Sequence, residues 1–345
     1  FDYIFVSAQR RRGEMEEKMK VAVYNYREFD EGNYFEKFSK KYNLEIVKCY
    51  EKPSLENINL AKDCYGVSVI TTPITRDIIK AWADLGIKHI STRTIGYDHI
   101  DIDAAIEYGI EVSNVTYSTA SVANYTIMIM LMALRKMKMI LKRAEGFDFS
   151  LQDSIGLELE NMTVGVIGTG AIGRNVIRNL SGFNCKILAY DPFINEEVKK
   201  YATYVSLNEV LSQSDILTLH IPATKDTYHL VKKETIKLMK DNVIIINTAR
   251  GSIIDTVALI EGLENGKISA CALDVIENEL GLYYNDYKYE NIKNHYLSIL
   301  RDMPNVLLTP HMAFYTKQAV SDMVEHSLLS IIASNKKKEN RFRIC

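Results

Sequence analysis

Three polar residues in the second half of the chain, Arg250, Glu279 and His311, have the side chains needed to reduce a carbonyl standing beside a carboxylate. A guanidinium fork matches a carboxylate through two parallel hydrogen bonds. An imidazole can pass a proton to the carbonyl oxygen as hydride reaches the carbon. A glutamate beside that imidazole orients it and favours its charged form. Taken singly, each residue has a plainer reading. Arginines and glutamates after strands are mostly surface ion pairs, and a histidine after Thr309-Pro310 could simply cap a turn. Position sets these three apart. Arg250 follows the apolar run Val243–Asn247, Glu279 lies just past a run ending at Asp274, and His311 follows Leu307-Leu308-Thr309-Pro310. Open α/β sheets bind their ligands at the carboxyl ends of such strands.

The segment Thr163 to Arg174, TVGVIGTGAIGR, points to the source of hydride. A G-x-G-x-x-G pattern carries weight only between a strand and a helix, and here an apolar run precedes it and a helical stretch, Arg174 to Leu180, follows. Gly168 permits the tight turn, Gly170 lets the backbone approach a pyrophosphate, and Gly173 lets helix and strand pack closely. The phosphates then rest on the helix N-terminus, at the backbone N–H groups around Ala171 and Ile172. The next apolar run, Lys186–Tyr190, ends in Asp191, 18 residues after Gly173. An acid there accepts hydrogen bonds from the adenosine ribose hydroxyls and repels a 2′-phosphate, which selects NAD over NADP. The alternative is a surface Asp opening a turn before Pro192.

Strand-like and helix-like stretches alternate to position these groups. Val21–Tyr24, Leu44–Cys49, Gly66–Thr71 and His89–Arg93 read as strands, separated by helix-compatible segments such as Tyr34–Tyr42 and Arg76–Leu85. A second series comprises Thr163–Ile167, Lys186–Tyr190, Ile216–His220, Val243–Asn247, Ala270–Asp274 and Val306–Thr309. Such alternation means parallel βαβ units, an α/β fold in two parts. One uninterrupted helix, Ser118 to Gly146, is expected between the two series. It holds five of the twelve methionines and is apolar on more than one face, as suits a helix that joins two domains and packs on a second subunit.

Composition narrows the partners. With 345 residues, 47% apolar and 25% charged, the chain has the balance of a soluble globular protein of two domains. A net charge of −2 offers no field for a polyanion, so nucleic acid is not implied. The longest apolar run, Ile127 to Leu134, is far short of the ~20 residues that cross a bilayer. Five scattered cysteines without metal-ligand spacing read as reduced thiols in a cytosol. Residues 1–18, with Arg10-Arg11-Arg12 after an apolar stretch, read as an extension upstream of a fold that begins at Met15 or Met19.

Together, Thr163–Gly173, Asp191, Asn247–Gly251, Ala272–Val275, Glu279 and Thr309-Pro310-His311 resemble the D-isomer-specific 2-hydroxyacid dehydrogenases. The likeness extends through Thr92–Asp101 and covers nearly everything from Met19 onward. Tyr117–Thr126 and Ala313–Thr316 most resemble that family's D-lactate dehydrogenase branch, including the vancomycin-resistance type. The resemblance implies two Rossmann-like domains with parallel sheets and a cleft between them. A flavodoxin-like substrate domain would comprise 19–116 plus 314–345, and an NAD-binding Rossmann domain 117–313. The family's Arg, Glu and His fall on Arg250, Glu279 and His311, and its backbone contact to the substrate carboxylate on Ile95 and Gly96. Tyr117 and Tyr315 become pocket residues. Asp274 and the Thr248–Arg250 backbone, Ala249 included, would face the nicotinamide end, while His220, Ile221 and Pro222 would line the adenine pocket. Family habit also implies a homodimer.

Three functions follow from the resemblance. They are NADH-dependent reduction of pyruvate to D-lactate, the same chemistry on phenylpyruvate, 2-oxoisocaproate or 2-oxoglutarate, and NADH sensing by a corepressor-like protein. The remaining histidines, His89, His99, His229, His295 and His326, lack matching catalytic positions. Glu279 argues against formate dehydrogenases, which carry Gln there. The Tyr- and Asn-rich stretch Leu280 to Leu300 reads as an excursion near the cleft or a solvated loop, and nothing in the sequence explains Asn124 and Tyr125.

Overall fold

A computed structural model describes residues 18–345, so the expectation for the N-terminal extension falls, apart from Lys18, outside the described residues. The chain divides into two compact units. One comprises the described residues up to Thr94, Ile100–Val115 and Val324–Cys345; the other comprises Ile95–His99 and Thr116–Met323.

The first unit is built on five parallel strands, β1 (Met19–Val23), β2 (Leu44–Lys48), β3 (Gly66–Val69), β4 (His89–Thr92) and β5 (Glu111–Ser113), in the order β2-β1-β3-β4-β5. This is the flavodoxin-like order. Inner strands of a parallel sheet are covered on both faces, so they read as continuous apolar runs, and successive residues feed opposite cores. Ala22 and Tyr24 pack with Trp82, Ile79 and Ile90 on one side, while Val21 and Val23 pack with Phe35, Phe38 and Leu328 on the other. The sequence expectation omitted β5, which is too short to show alternation. Its outer edge is closed by the chain's own C-terminus, where Ile344 N donates to Val112 O at 2.8 Å and Arg343 bridges Ser113 antiparallel. That pairing satisfies the backbone groups along the β5 edge of the sheet.

The second unit holds seven parallel strands: β6 (Thr163–Ile167), β7 (Lys186–Tyr190), β8 (Thr203–Tyr204), β9 (Ile216–Leu219), β10 (Val243–Asn247), β11 (Ile268–Leu273) and β12 (Val306–Leu308). Their order, β12-β11-β10-β9-β6-β7-β8, is the Rossmann order extended by one strand. The two-residue β8 also escaped the sequence reading.

The single helix expected over Ser118–Gly146 is instead two, Ala120–Leu134 and Met137–Glu145. Lys136 separates them in a left-handed conformation with φ 51°. The reason is tertiary. Leu157 N donates to the carbonyl of Leu134 at 3.1 Å, and Lys136 Nζ reaches Asp153 O at 2.9 Å, so the returning 147–157 segment terminates the first helix. Lys138 Nζ in turn caps the end of the helix His295–Asp302 through the Arg301 and Met303 carbonyls.

Candidate active site

Because every strand of the second unit runs the same way, all its carboxyl ends lie along one edge, and the strand order arranges the loops that leave them. From β12 to β7 that edge presents His311, then Asp274 and Glu279, then Arg250, then His220, then the glycine loop, and finally Asp191. The expected catalytic groups fall on one half of the row and the dinucleotide groups on the other.

Glu279 and His311 are paired, with His311 Nδ1 2.6 Å from Glu279 Oε1. Since a carboxylate only accepts, this contact places a hydrogen on Nδ1. Nε2 has no hydrogen-bond partner among the described residues. The second oxygen of Glu279 accepts from Ile276 N at 3.0 Å, which fixes the carboxylate.

His311 itself is held with φ 54°, an unusual conformation for a β-substituted residue. Buried Asp274 enforces it. Asp274 Oδ1 accepts from Thr309 Oγ1 at 2.6 Å and Met312 N at 2.8 Å, Oδ2 accepts from Ala313 N at 2.9 Å, and its own carbonyl accepts from His311 N at 2.8 Å. Burial keeps the Asp274 carboxyl above the usual carboxylate range despite these donors. The expectation gave Asp274 a place near the nicotinamide; its carboxylate oxygens are turned onto the 309–313 turn.

Arg250 stands on a turn built by a residue the sequence reading passed over. Buried Asn247 accepts from Ala249 N and donates to Arg250 O, both at 2.9 Å, while Thr248 Oγ1 meets Thr126 Oγ1 at 2.8 Å. The guanidinium donates to Ala249 O at 2.8 Å and lies 3.5 Å from Asp98 Oδ1. It also rests against Gly96, where a Cβ would collide with Nη2. Arg250 and the Ile95–Gly96 backbone therefore adjoin, as a shared carboxylate site requires. His99, in the same segment, is pushed down to about 4 by burial.

Tyr117 and Tyr315 differ in setting. Tyr117 is half-buried, its phenol pushed up to about 12 by desolvation, and its ring lies 6.2 Å from Phe314. Phe314 was overlooked in favour of its neighbour, although its ring is edge-on to His311 at 6.4 Å; Tyr315 is the more exposed of the two. Tyr284, from the Tyr-rich excursion, donates to the His311 carbonyl at 2.8 Å.

The dinucleotide half fits NAD on geometry. Gly168 has φ 96°, and a Cβ there would stand 2.5 Å from the His220 carbonyl, so only glycine serves. A Cβ on Gly170 would meet nothing, leaving open space in front of the helix Ala171–Leu180, which begins three residues before the expected start. Its first turn has no side-chain cap, so the N–H groups of Ala171, Ile172 and Gly173 are available to phosphate. Asp191 accepts from Thr169 N at 2.7 Å and Phe193 N at 2.9 Å, which ties this acid to the glycine loop. His220 is half-buried, pushed down to about 3 by desolvation and bonded to Thr218, so it lines the site as a neutral ring. Ile221 packs beside Gly168, and Pro222 is exposed.

Residues 127–313 match the family model of the D-isomer specific 2-hydroxyacid dehydrogenase NAD binding domain. The chain belongs to that family and is an NAD-dependent D-2-hydroxyacid dehydrogenase. It is similar to an aromatic 2-oxoacid reductase of Clostridium sporogenes, 46% identical over 91% of this chain and 95% of the relative. It is also similar to a D-specific alpha-keto acid dehydrogenase of Enterococcus faecium, at 41% over 93% and 98%. A D-lactate dehydrogenase structure from Treponema pallidum superposes with a TM-score of 0.86 at 33% identity, covering 95% of this chain and all of that one.

Proposed function

We propose that this chain reduces a 2-oxo acid with an aromatic side chain to the corresponding D-2-hydroxy acid. The observation that carries the substrate class is the set of rings around His311. Phe314 and Tyr284 each lie 6.4 Å from the imidazole, and Tyr117 lies against Phe314. Edge and face contacts of this kind suit an arene. The likeness to the clostridial aromatic 2-oxoacid reductase supports the same reading and moves the expected pyruvate to second place. Pyruvate keeps its standing because the superposable treponemal structure is a D-lactate dehydrogenase.

In this reading Gly168–Gly173 and Asp191 hold the dinucleotide, which supplies hydride when bound. Arg250, with the N–H groups of Ile95 and Gly96, anchors the substrate carboxylate and polarises the adjacent carbonyl. His311 Nε2 gives its proton to the carbonyl oxygen, and Glu279 stabilises the charged imidazole that precedes the transfer. Asp274 does not touch substrate; it keeps His311 in the conformation that presents Nε2.

Two further properties belong to the proposal. The helix Ala120–Leu134 bears an open apolar groove of about 550 Å³ lined by Ile127, Met128, Leu131 and Met132, and Phe147, Phe149, Leu151 and Ile155 are strongly exposed nearby in sequence. A second copy of this chain is the occupant such a surface suits, and a solution mass measurement tests it. All five cysteines are free thiols, which suits a reducing cytosol.

The deciding experiment follows NADH oxidation with phenylpyruvate, pyruvate, 2-oxoisocaproate and 2-oxoglutarate. We expect kcat/KM for phenylpyruvate to exceed that for pyruvate by ~10-fold or more, within the range that pocket contacts supply. A lead for pyruvate gives the D-lactate reading instead. Tight NADH binding without turnover on any acid would favour the sensing role.

A further inference from the structure

Arg250 and Glu279 stand on loops that leave two adjacent strands, β10 and β11. The direct partners of Arg250 are Ala249 O and Asp98, and those of Glu279 are Ile276 N and His311. None of these contacts joins one loop to the other. Glu277, a residue assigned no role so far, makes that join. Its Oε2 accepts from Thr256 N at 2.9 Å and Thr256 Oγ1 at 2.6 Å, at the start of the helix Thr256–Glu264 that follows the Arg250 turn. Its Oε1 lies 2.7 Å from His229 Nε2, and His229 N donates to Ser252 O at 2.9 Å. The backbones meet as well, since a Cβ on Gly251 would collide with the Ile276 carbonyl and stand 2.5 Å from Glu277 N.

A continuous path results. It runs from Ser252, two residues after Arg250, through His229 to Glu277, then by the backbone to Ile276, whose N–H holds Glu279, and so to His311. His229 is kept in it at φ 49°, stacked under Tyr228 with ring centroids 3.9 Å apart. Both side chains of the Glu277–His229 pair are only partly exposed, so the contact is shielded more than a surface ion pair would be.

We propose that Glu277, acting with His229 and Thr256, is a positioning residue that holds the Arg250 and Glu279 loops in register, so that the carboxylate anchor and the proton donor address the same substrate. This rests on the assignment of Arg250, Glu279 and His311 as the reacting groups. Arg250 and His311 must meet one small molecule, and a misplacement of about 1 Å can cost ~10²-fold in rate. Glu277 lies away from the glycine loop and Asp191 in the strand order, so the phosphate and ribose end of the cofactor site should not depend on it.

The test uses the full chain with Glu277→Ala, Glu277→Gln and His229→Ala, and with His311→Gln in parallel. The readouts are kcat, KM for the 2-oxo acid, NADH affinity by its own fluorescence, and melting temperature. We expect Glu277→Ala to lose ~10-fold or more in kcat/KM, with NADH affinity changed less than about twofold. Glu277→Gln keeps an acceptor oxygen for Thr256 and turns its NH2 to His229 Nε2, which accepts once the imidazole carries its hydrogen on Nδ1, and it should recover to within about threefold of the parent. If Glu277→Ala does not fold, His229→Ala breaks the arm to Ser252 alone and should give the same selective loss. The proposal is overturned if activity survives in the alanine variants, if glutamine fails to rescue, or if NADH affinity falls in step with kcat/KM. Full turnover in His311→Gln would instead remove the catalytic assignment beneath it.

Discussion

His89 and Glu111 in the first unit form another histidine–glutamate pair, and its contrast with His311 and Glu279 shows what makes such a pair useful. His89 is fully buried on β4, with Nε2 2.8 Å from Ser113 Oγ and Nδ1 3.4 Å from Glu111 Oε2. By residue type alone, this is a serine–histidine–carboxylate trio. Its serine is also fully buried, so no substrate reaches it. Burial drives the His89 imidazole down to about 4, so it stays neutral across the physiological range. His311 keeps partial solvent access, a tight 2.6 Å contact on one nitrogen and, among the described residues, no hydrogen-bond partner on the other. One pair fills a sheet interior; the other leaves a proton-bearing nitrogen for chemistry.

The largest effect that tests this contrast comes from His311→Gln. Its kcat should fall ~10²-fold or more while NADH affinity, measured by fluorescence, stays close to that of the parent. A variant with full turnover would erase the distinction between the pairs. A smaller change, Tyr284→Phe, removes only the hydroxyl that holds the His311 carbonyl at 2.8 Å. One hydrogen bond of net worth ~1 kcal/mol predicts a loss of about fivefold in kcat, read in the same assay. His89→Gln should leave kcat at neutral pH within about twofold and change stability instead.

The sign of that last effect follows from the depressed value. The unfolded chain's imidazole titrates near ~6.5 and the folded one at about 4, so between them the unfolded state binds more protons. Stability from this group is complete above the unfolded value and declines as pH falls toward the folded one. His99 and His220, depressed in the same direction by burial, add to the decline. Denaturant titrations between pH 7 and 4 should show His89→Gln with a slope shallower by ~1.4 kcal/mol per pH unit, one proton's contribution. An unchanged slope would mean that His89 titrates normally in the fold.

Much of the catalytic half was legible because strand, turn and reactive residue are contiguous. Thr309-Pro310-His311 and Asn247–Arg250 carry both their element and their side chain within a few positions. The glycine loop was legible for the same reason, since its turn, its phosphate contact and its helix are consecutive. Residues that act across loops were not. Tyr284 reaches His311 across 27 positions, and Glu277 joins segments that no local pattern links. Phe314 and Tyr315 are adjacent aromatics, and only the turn imposed by Asp274 decides which ring faces the histidine.

By itself, the sequence determined the alternation of strands and helices, the glycine loop with an acid after the next strand, and the three residue types that carbonyl reduction would use. These follow from periodicity, glycine's conformational range and side-chain chemistry, all of which act over short spans. Tertiary structure decided where the Ser118–Gly146 helix breaks, which histidine has a nitrogen to spare, and which acid orients it. Each of those depends on a carbonyl, a carboxylate or a covering side chain supplied from a distant segment. Hydrogen bonding and desolvation are set by what surrounds a group in space, and that environment exists only once the chain is folded.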